Sequence, residues 1–137
     1  MTLVIDASVA CKWVLEEPDS ELAKTLLLSG KKLIAPAIIL AETANVFSRR
    51  SRMGEMSQAQ ASNALAGVRV MINYLEPLDT LIDVALDLSI RMSHPIYDCL
   101  YLALAQLRDC MMVTADKKLA DRAIKTKLGK FVRVLTA

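Results

Sequence analysis

Short apolar runs separated by longer helical segments constrain the fold of this chain most strongly. The runs at 3–5, 33–35 and 111–113 show no polar alternation, which is typical of strands buried on both faces of a parallel sheet. Residues 74–78 and 131–135 are predicted as two further short strands. Because strands and helices alternate, the sequence predicts an α/β fold with a mostly parallel central sheet and helices on both faces.

The predicted helices are bounded by capping residues and by proline or glycine. They cover Ala7–Glu16, Asp19 or Ser20 to about Ser29, Ala37–Arg52 with Pro36 at or near its first turn, Ser57 to about Ile72, a helix capped by Asp79 or Thr80 that ends before Pro95, Tyr97–Arg108, and a short helix after Asp116. No linker or internal repeat divides the 137 residues. The sequence therefore predicts one domain spanning residues 1–137.

Composition excludes several classes of protein. Hydrophobic residues make up 54% and charged residues 23% of the chain, which excludes intrinsic disorder. Cys11, Cys99 and Cys110 have neither the number nor the spacing of a disulfide framework or a zinc site, and are interpreted as buried hydrophobic residues. Because Asp6 interrupts the first apolar run and no run approaches about 20 residues, neither a signal peptide nor a membrane span is expected. A cytoplasmic protein is predicted.

Two acidic residues follow buried strands. Asp6 ends the first apolar run, and Asp116 follows the run at 111–113. The carboxyl ends of parallel strands meet at one edge of a sheet, where ligands bind in open α/β folds. Each residue could instead only cap the helix that follows it. Their shared edge favours a functional site.

Two more carboxylates lie in apolar helices. Glu42 shares a helix face with Ile38 and Val46, and Asp98 lies in the first turn of the helix that contains Leu100 and Tyr101. Both residues also have an interpretation without a functional site. Glu42 could pair with a buried arginine, and Asp98 could only complement the helix dipole. Both helices begin at or near the edge where Asp6 and Asp116 are expected.

Four carboxylates close together raise one another's pKa, and a divalent cation removes that penalty. Oxygen ligands without a neighbouring Cys or His favour Mg²⁺ or Mn²⁺ over zinc. Such an ion can promote hydrolysis of a phosphodiester. Ser8 and Thr114 are candidates to orient the carboxylates, and Asn45 could hydrogen-bond Glu42 or lie near substrate. His94 is interpreted as a loop or helix-end residue rather than a catalytic base.

Basic residues cluster in two segments, although the formal net charge is only +2. One segment starts at Lys117 and Lys118 and runs to Arg133, and the other contains Arg49, Arg50 and Arg52. Basic clusters are often solvated surfaces. The alternative is that they contact the phosphates of a nucleic acid.

The chain resembles PIN-domain nucleases, and among them the VapC toxins of toxin–antitoxin pairs. The resemblance lies in Val4-Ile5-Asp6-Ala7-Ser8, Pro36 with Ala41-Glu42 and Asn45, His94-Pro95-Ile96-Tyr97-Asp98 with the apolar helix after it, and Val113-Thr114-Ala115-Asp116. It implies a three-layer α/β/α sandwich and an Mg²⁺- or Mn²⁺-dependent endoribonuclease. Asp6 and Asp98 would be the principal metal ligands, and Glu42 and Asp116 would complete the cluster directly or through water. It also implies a homodimer and a cognate antitoxin protein.

Three other functions use a similar set of acids. A binding module could hold a structural cation without catalysis, and a phosphatase or DNA nuclease could use the same carboxylates. A phospho-accepting receiver domain would also need a lysine at the end of a strand, and the middle strands here end at Pro36 and near Leu78. The receiver interpretation is therefore disfavoured.

Overall fold

The computed structural model describes residues 1–135 and contains a five-stranded sheet with every pairing parallel. The strand order is β3-β2-β1-β4-β5. The strands are β1 (Thr2–Ile5), β2 (Lys32–Pro36), β3 (Tyr74–Glu76), β4 (Met111–Thr114) and β5 (Val132–Val134). The prediction of an α/β fold with a parallel central sheet is confirmed.

Seven α-helices flank the sheet within residues 1–135. They are α1 (Ala7–Val14), α2 (Ser20–Lys24), α3 (Ile38–Arg52), α4 (Gln58–Met71), α5 (Leu78–Met92), α6 (Ile96–Arg108) and α7 (Lys117–Ile124), with 3-10 turns at Thr25–Leu28 and Lys127–Phe131. Helix α6 is the most buried, since every residue from Cys99 to Ala105 lies in the core. It packs on β1, β2 and β4 and against α5. None of the helices within residues 1–135 is long and apolar enough to cross a bilayer.

Two of the predicted helix boundaries are wrong. The second helix leaves the α-conformation after Lys24 rather than at Ser29. Thr25 donates its hydroxyl to the Leu22 carbonyl, and Ser29 donates to the Leu26 carbonyl. Such side-chain bonds compete with the helical ladder and favour the tighter turn.

Neither Asp79 nor Thr80 caps α5. That helix begins at Leu78 with Pro77 as its N-cap and has no side-chain cap. Pro77 has φ −59°, which proline's ring fixes without a capping side chain. Asp79 instead lies in the first turn, where it complements the helix dipole. The outer strands are also shorter than predicted, since β3 ends at Glu76 and Phe131 belongs to a 3-10 turn.

The order of the strands creates a crevice at one end of the sheet. The chain passes from β1 to β2 and β3 on one side, then returns to β4 and β5 on the other. Connections therefore leave β1 and β4 in opposite directions, and the cleft beside their carboxyl ends is where ligands bind in such sheets. Asp6 follows β1 directly, and Asp116 lies two residues beyond β4.

Candidate active site

Asp6 is the most enclosed carboxylate at this crevice, with 5% of its surface exposed. It caps α1 by accepting a hydrogen bond from the Val9 backbone N–H at 3.1 Å. Its Oδ1 also accepts from the Ser8 hydroxyl at 2.6 Å, and its Oδ2 accepts from the Thr114 hydroxyl. Burial, with a smaller contribution from the charge of Asp98, raises the pKa of Asp6 to about 6 against the lowering effect of these bonds.

Ser8 and Thr114 hold Asp6 between the ends of β1 and β4. The Ser8 Oγ accepts from the Ala115 backbone N–H at 3.0 Å, and the Thr114 Oγ1 accepts from the Asp116 backbone N–H at 2.9 Å. Each hydroxyl thus donates to Asp6 and accepts from the segment after β4. Two donors use both lone pairs of Asp6 Oδ1, whereas Oδ2 receives one donor and retains one lone pair.

Glu42 approaches from α3 and is half-buried. Its Oε1 accepts a hydrogen bond of 2.6 Å from the Tyr101 hydroxyl of α6, so the alternative of a buried arginine partner is wrong. Burial raises the pKa of Glu42, and the charge of Asp98 adds to the shift. Burial and the Glu42 carboxylate likewise raise the pKa of Tyr101 well above its ordinary value. Tyr101 therefore stays protonated and acts as a donor.

Asp98 lies in the first turn of α6, and its side chain is one-third exposed. His94 Nε2 is 2.6 Å from Asp98 Oδ2. The location expected for His94 is confirmed, because it lies between α5 and α6, but its contact with Asp98 was missed. The His-Pro-x-x-Asp spacing is the signal that could have found it, since residues four apart meet across the start of a helix.

Asp116 faces its own helix. Its Oδ1 accepts from the backbone N–H groups of Lys118 at 2.9 Å and Leu119 at 3.4 Å, which caps α7. It is tied to the other acids through the bond from its backbone N–H to Thr114. The charge of Asp98 raises the pKa of both Asp6 and Glu42. Within residues 1–135, however, no three acidic, histidine or cysteine side chains are grouped closely enough to form a metal cage.

A groove of about 410 Å³ opens beside these acids. Ser8, Glu42, Asn45 and Arg49 lie along it, and the last three share one face of α3 because they are separated by about one helical turn. The groove thus runs from the Glu42 carboxylate to a basic side chain. Asn45 is exposed to it rather than buried in the core.

The basic residues differ in how free they are to bind a ligand. Arg50 bonds Glu17 at 2.9 Å and lies 3.9 Å from Glu55, and Arg52 Nε donates to Ser48 at 3.3 Å. Arg49, Lys117 and Lys118 are exposed. Arg122, in the basic segment from Lys117 to Arg133, donates to the backbone carbonyl of Ser93 and so holds the turn between α5 and α6.

Comparison with known proteins places the chain in a family. A family model described as "PIN domain" matches residues 3–125. The chain belongs to the PIN-domain family. It is 28% identical over 125 residues to Ribonuclease VapC3 of Pyrobaculum aerophilum, which covers 89% of this chain and 95% of that protein. It is 27% identical over 119 residues to Ribonuclease VapC9 of Mycobacterium tuberculosis, with 87% and 89% covered.

Solved structures share the fold of this PIN domain at lower sequence identity. VapC20 of Mycobacterium tuberculosis, described as a sarcin-ricin loop cleaving toxin, matches with a TM-score of 0.69 and 17% identity over 87% of this chain and 93% of that one. VapBC2 of Rickettsia felis, solved with a DNA fragment from its promoter, matches with a TM-score of 0.68 and 12% identity over 99% and 100%.

Proposed function

We propose that this PIN domain is a metal-dependent endoribonuclease and the toxin of a toxin–antitoxin pair. The observation that carries the proposal is the grouping of Asp6, Glu42 and Asp98 at the crevice between β1 and β4, where the charge of Asp98 raises the pKa of the other two. The relatives named as ribonucleases match nearly their whole length to this chain, which supports the same activity here. The proposed location is the cytoplasm.

The proposed cofactor is Mg²⁺ or Mn²⁺, and the residues at the crevice fit such an ion. Their donors are carboxylate oxygens, which hard cations prefer, and Mg²⁺ in proteins uses one or two carboxylates and keeps several waters. Asp6 Oδ2 has a lone pair to offer, and Asp98 Oδ1 is the oxygen that His94 does not contact. The cation would supply charge to stabilise a phosphoryl transition state and would lower the pKa of a water molecule.

The remaining residues have positioning roles in the proposal. Glu42, with a raised pKa and one oxygen held by Tyr101, is suited to orient an attacking water and accept its proton. Ser8 and Thr114 fix Asp6, and Asn45 lies in the groove to contact substrate. Asp116 acts through water, because the start of α7 already holds its Oδ1.

The cheapest test is cleavage of a structured RNA by the wild-type protein with Mg²⁺, Mn²⁺ or EDTA. Cleavage is expected with either metal, loss of cleavage in EDTA, and recovery when excess metal is returned. Cleavage that continues in EDTA would overturn the metal-dependent mechanism. Binding of Mn²⁺ without cleavage of any RNA tested would support a cation-holding module instead, and hydrolysis of DNA or a phosphomonoester would support a different substrate.

RNA is proposed to lie across Lys117, Lys118 and Arg49, with smaller contributions from Arg50 and Arg52. The first three are exposed near the ends of the site, whereas Arg50 is partly neutralised by Glu17. Phosphate contacts release counterions, so binding weakens with salt in proportion to the number of contacts.

Replacement of Lys117 and Lys118 by glutamine is expected to weaken RNA binding and to reduce the slope of log K against log salt by roughly 1.4, since each contact to a single strand contributes about 0.7. Fluorescence anisotropy with Asp98→Asn in both backgrounds measures binding without cleavage. A matched control is Lys125→Gln, an exposed lysine at the far end of α7. An unchanged slope would move the phosphate contacts to the cluster on α3.

Two protein partners are proposed. A cognate antitoxin is supported by the resemblance to VapC proteins. A homodimer is supported by α5, which exposes Ile82, Leu86 and Ile90 along one face. Two antiparallel copies of α5 would bring the acidic first half around Asp79 close to Arg91 of the other copy, so the charges favour a second copy.

A further inference from the structure

His94 is the only histidine in the chain, and its environment is unusual for a residue in a turn. The side chain is 7% exposed. Its Nδ1 is buried and has no hydrogen-bond partner among the described residues. Burial of Nδ1 without a partner costs free energy, and an apolar residue of similar size would avoid that cost. The polar contact through Nε2 therefore indicates a role for His94 beyond packing.

The backbone around His94 fixes the position of the ring. The His94 N–H donates to the Ser89 carbonyl at 3.1 Å, and the Ser89 hydroxyl donates to the His94 carbonyl at 2.5 Å. Arg122 of α7 donates to the carbonyl of the preceding residue, Ser93. Three helices thus hold the turn, and the ring has little freedom to leave Asp98.

The contact itself determines the tautomer. A carboxylate oxygen accepts hydrogen bonds, so Nε2 carries the proton that points at Asp98 Oδ2, and Nδ1 is left as the buried acceptor. A neutral imidazole satisfies this arrangement. The bond occupies Asp98 Oδ2, and Oδ1 is the oxygen that His94 does not contact.

We propose that His94 is a positioning residue that fixes the Asp98 carboxylate for binding the divalent cation. Partners that hydrogen-bond a ligating carboxylate restrict its rotation, and loss of such a partner typically costs about 10- to 100-fold in metal affinity. The inference rests on the proposed function only in taking Asp98 as a ligand. It extends the site to a residue whose sequence context indicated a structural role alone.

The test compares two substitutions at this position. His94→Leu removes the donor, and His94→Gln retains an amide N–H close to the place of Nε2. The Mn²⁺ dissociation constant is measured by the loss of the electron paramagnetic resonance signal of free Mn²⁺, with far-ultraviolet circular dichroism to confirm folding. His94→Leu is expected to weaken binding about 10- to 100-fold, and His94→Gln to recover most of that loss.

A double-mutant cycle with Asp98→Asn separates this role from general packing. If His94 acts through Asp98, His94→Leu should weaken Mn²⁺ binding little further in the Asp98→Asn background. Equal losses in both backgrounds, wild-type affinity in His94→Leu, or a His94→Gln protein that is folded but as weak as His94→Leu would each overturn the proposal. A wild-type protein that binds no Mn²⁺ would overturn it as well.

The proposed function is judged separately. A protein that shows this pattern of Mn²⁺ affinities but cleaves no RNA would retain the role of His94 and lose the ribonuclease. Conversely, metal-dependent cleavage with unchanged Mn²⁺ affinity in His94→Leu would retain the ribonuclease and remove His94 from the site.

Discussion

Replacement of Asp98 by asparagine is expected to lower metal-dependent RNA cleavage by about a thousandfold and to weaken Mn²⁺ binding to a level that is still measurable. The substitution removes a charge from the proposed metal site, and metal stabilisation of a phosphoryl transition state amounts to several kcal/mol, with about 1.4 kcal/mol for each factor of ten in rate. His94 can still donate to the amide oxygen, so the start of α6 should remain intact. Single-turnover cleavage of a labelled RNA measures the rate.

Asp121→Asn is the matched control for Asp98→Asn. Asp121 is an exposed acid on α7, so its replacement makes the same chemical change away from the crevice. The Asp121→Asn protein should cleave RNA at the wild-type rate. The Asp98 variant should also have lower pKa values at Asp6 and Glu42, because the Asp98 charge raises both. Cleavage by Asp98→Asn within tenfold of the wild type would remove Asp98 from the catalytic site.

The place of the site could be predicted from the sequence because it follows from the direction of the strands. Asp6 and Asp116 each come after a buried apolar run, and parallel strands bring such positions to one edge. The hydroxyls of Ser8 and Thr114 lie two residues from these acids, so their involvement was also predictable from short spacing. The structure adds that both hydroxyls contact the same carboxylate, that of Asp6.

The contacts of Glu42 and Arg50 could not be predicted, since they join residues far apart in the chain. Tyr101 lies in an apolar run that indicates only a core helix, yet its hydroxyl reaches Glu42 across 59 positions. Arg50 belongs to a basic cluster, and only the packing of α1 against α3 shows that Glu17 pairs with it. Such contacts depend on how helices are placed against one another, which periodicity does not encode.

The orientation of Asp116 was left open between two alternatives by the sequence. Its location at the sheet edge was predictable, but a residue after a strand and before a helix has two competing uses for its carboxylate. The backbone N–H groups at the start of α7 are close and otherwise unpaired, and they bind Asp116 in the structure. Asp6 caps its helix in the same way with Oδ1 alone, and its Oδ2 reaches Thr114.

Asp6→Asn is expected to stabilise the metal-free protein at neutral pH while it removes activity. The pKa of Asp6 is about 6 in the folded protein against 3.8 for the ordinary side chain, so the folded state binds the proton more tightly than the unfolded state. The contribution of Asp6 to wild-type stability is therefore most favourable below pH 3.8 and is lost as the pH rises through 6. At 1.36 kcal/mol per pKa unit, the complete loss of folding free energy is about 3 kcal/mol. Asparagine carries no charge and therefore avoids this loss.

Urea denaturation in EDTA from pH 4 to 8 measures this difference. The variant and the wild type should have similar free energies of unfolding near pH 4 and should separate as the pH rises to 6, with Asp6→Asn more stable above that pH by about 1–3 kcal/mol. The lower value applies if the hydrogen bond between the side-chain amide N–H of Asp6→Asn and Thr114 is weaker than the wild-type bond. In the variant the Thr114 hydroxyl must accept this bond rather than donate it. Equal stability at every pH would show that Asp6 does not suffer the cost of burial.

Addition of metal should reverse the order of stability. A cation that binds only the folded state stabilises it by about 4.1 kcal/mol when its concentration is 1,000 times the dissociation constant, which exceeds the advantage of the variant. The wild-type protein should gain this stabilisation in Mn²⁺, and Asp6→Asn should gain almost none. The buried charge of Asp6 then destabilises the metal-free protein and serves as a ligand in the metal-bound protein. A variant that gains as much as the wild type would exclude Asp6 as a ligand.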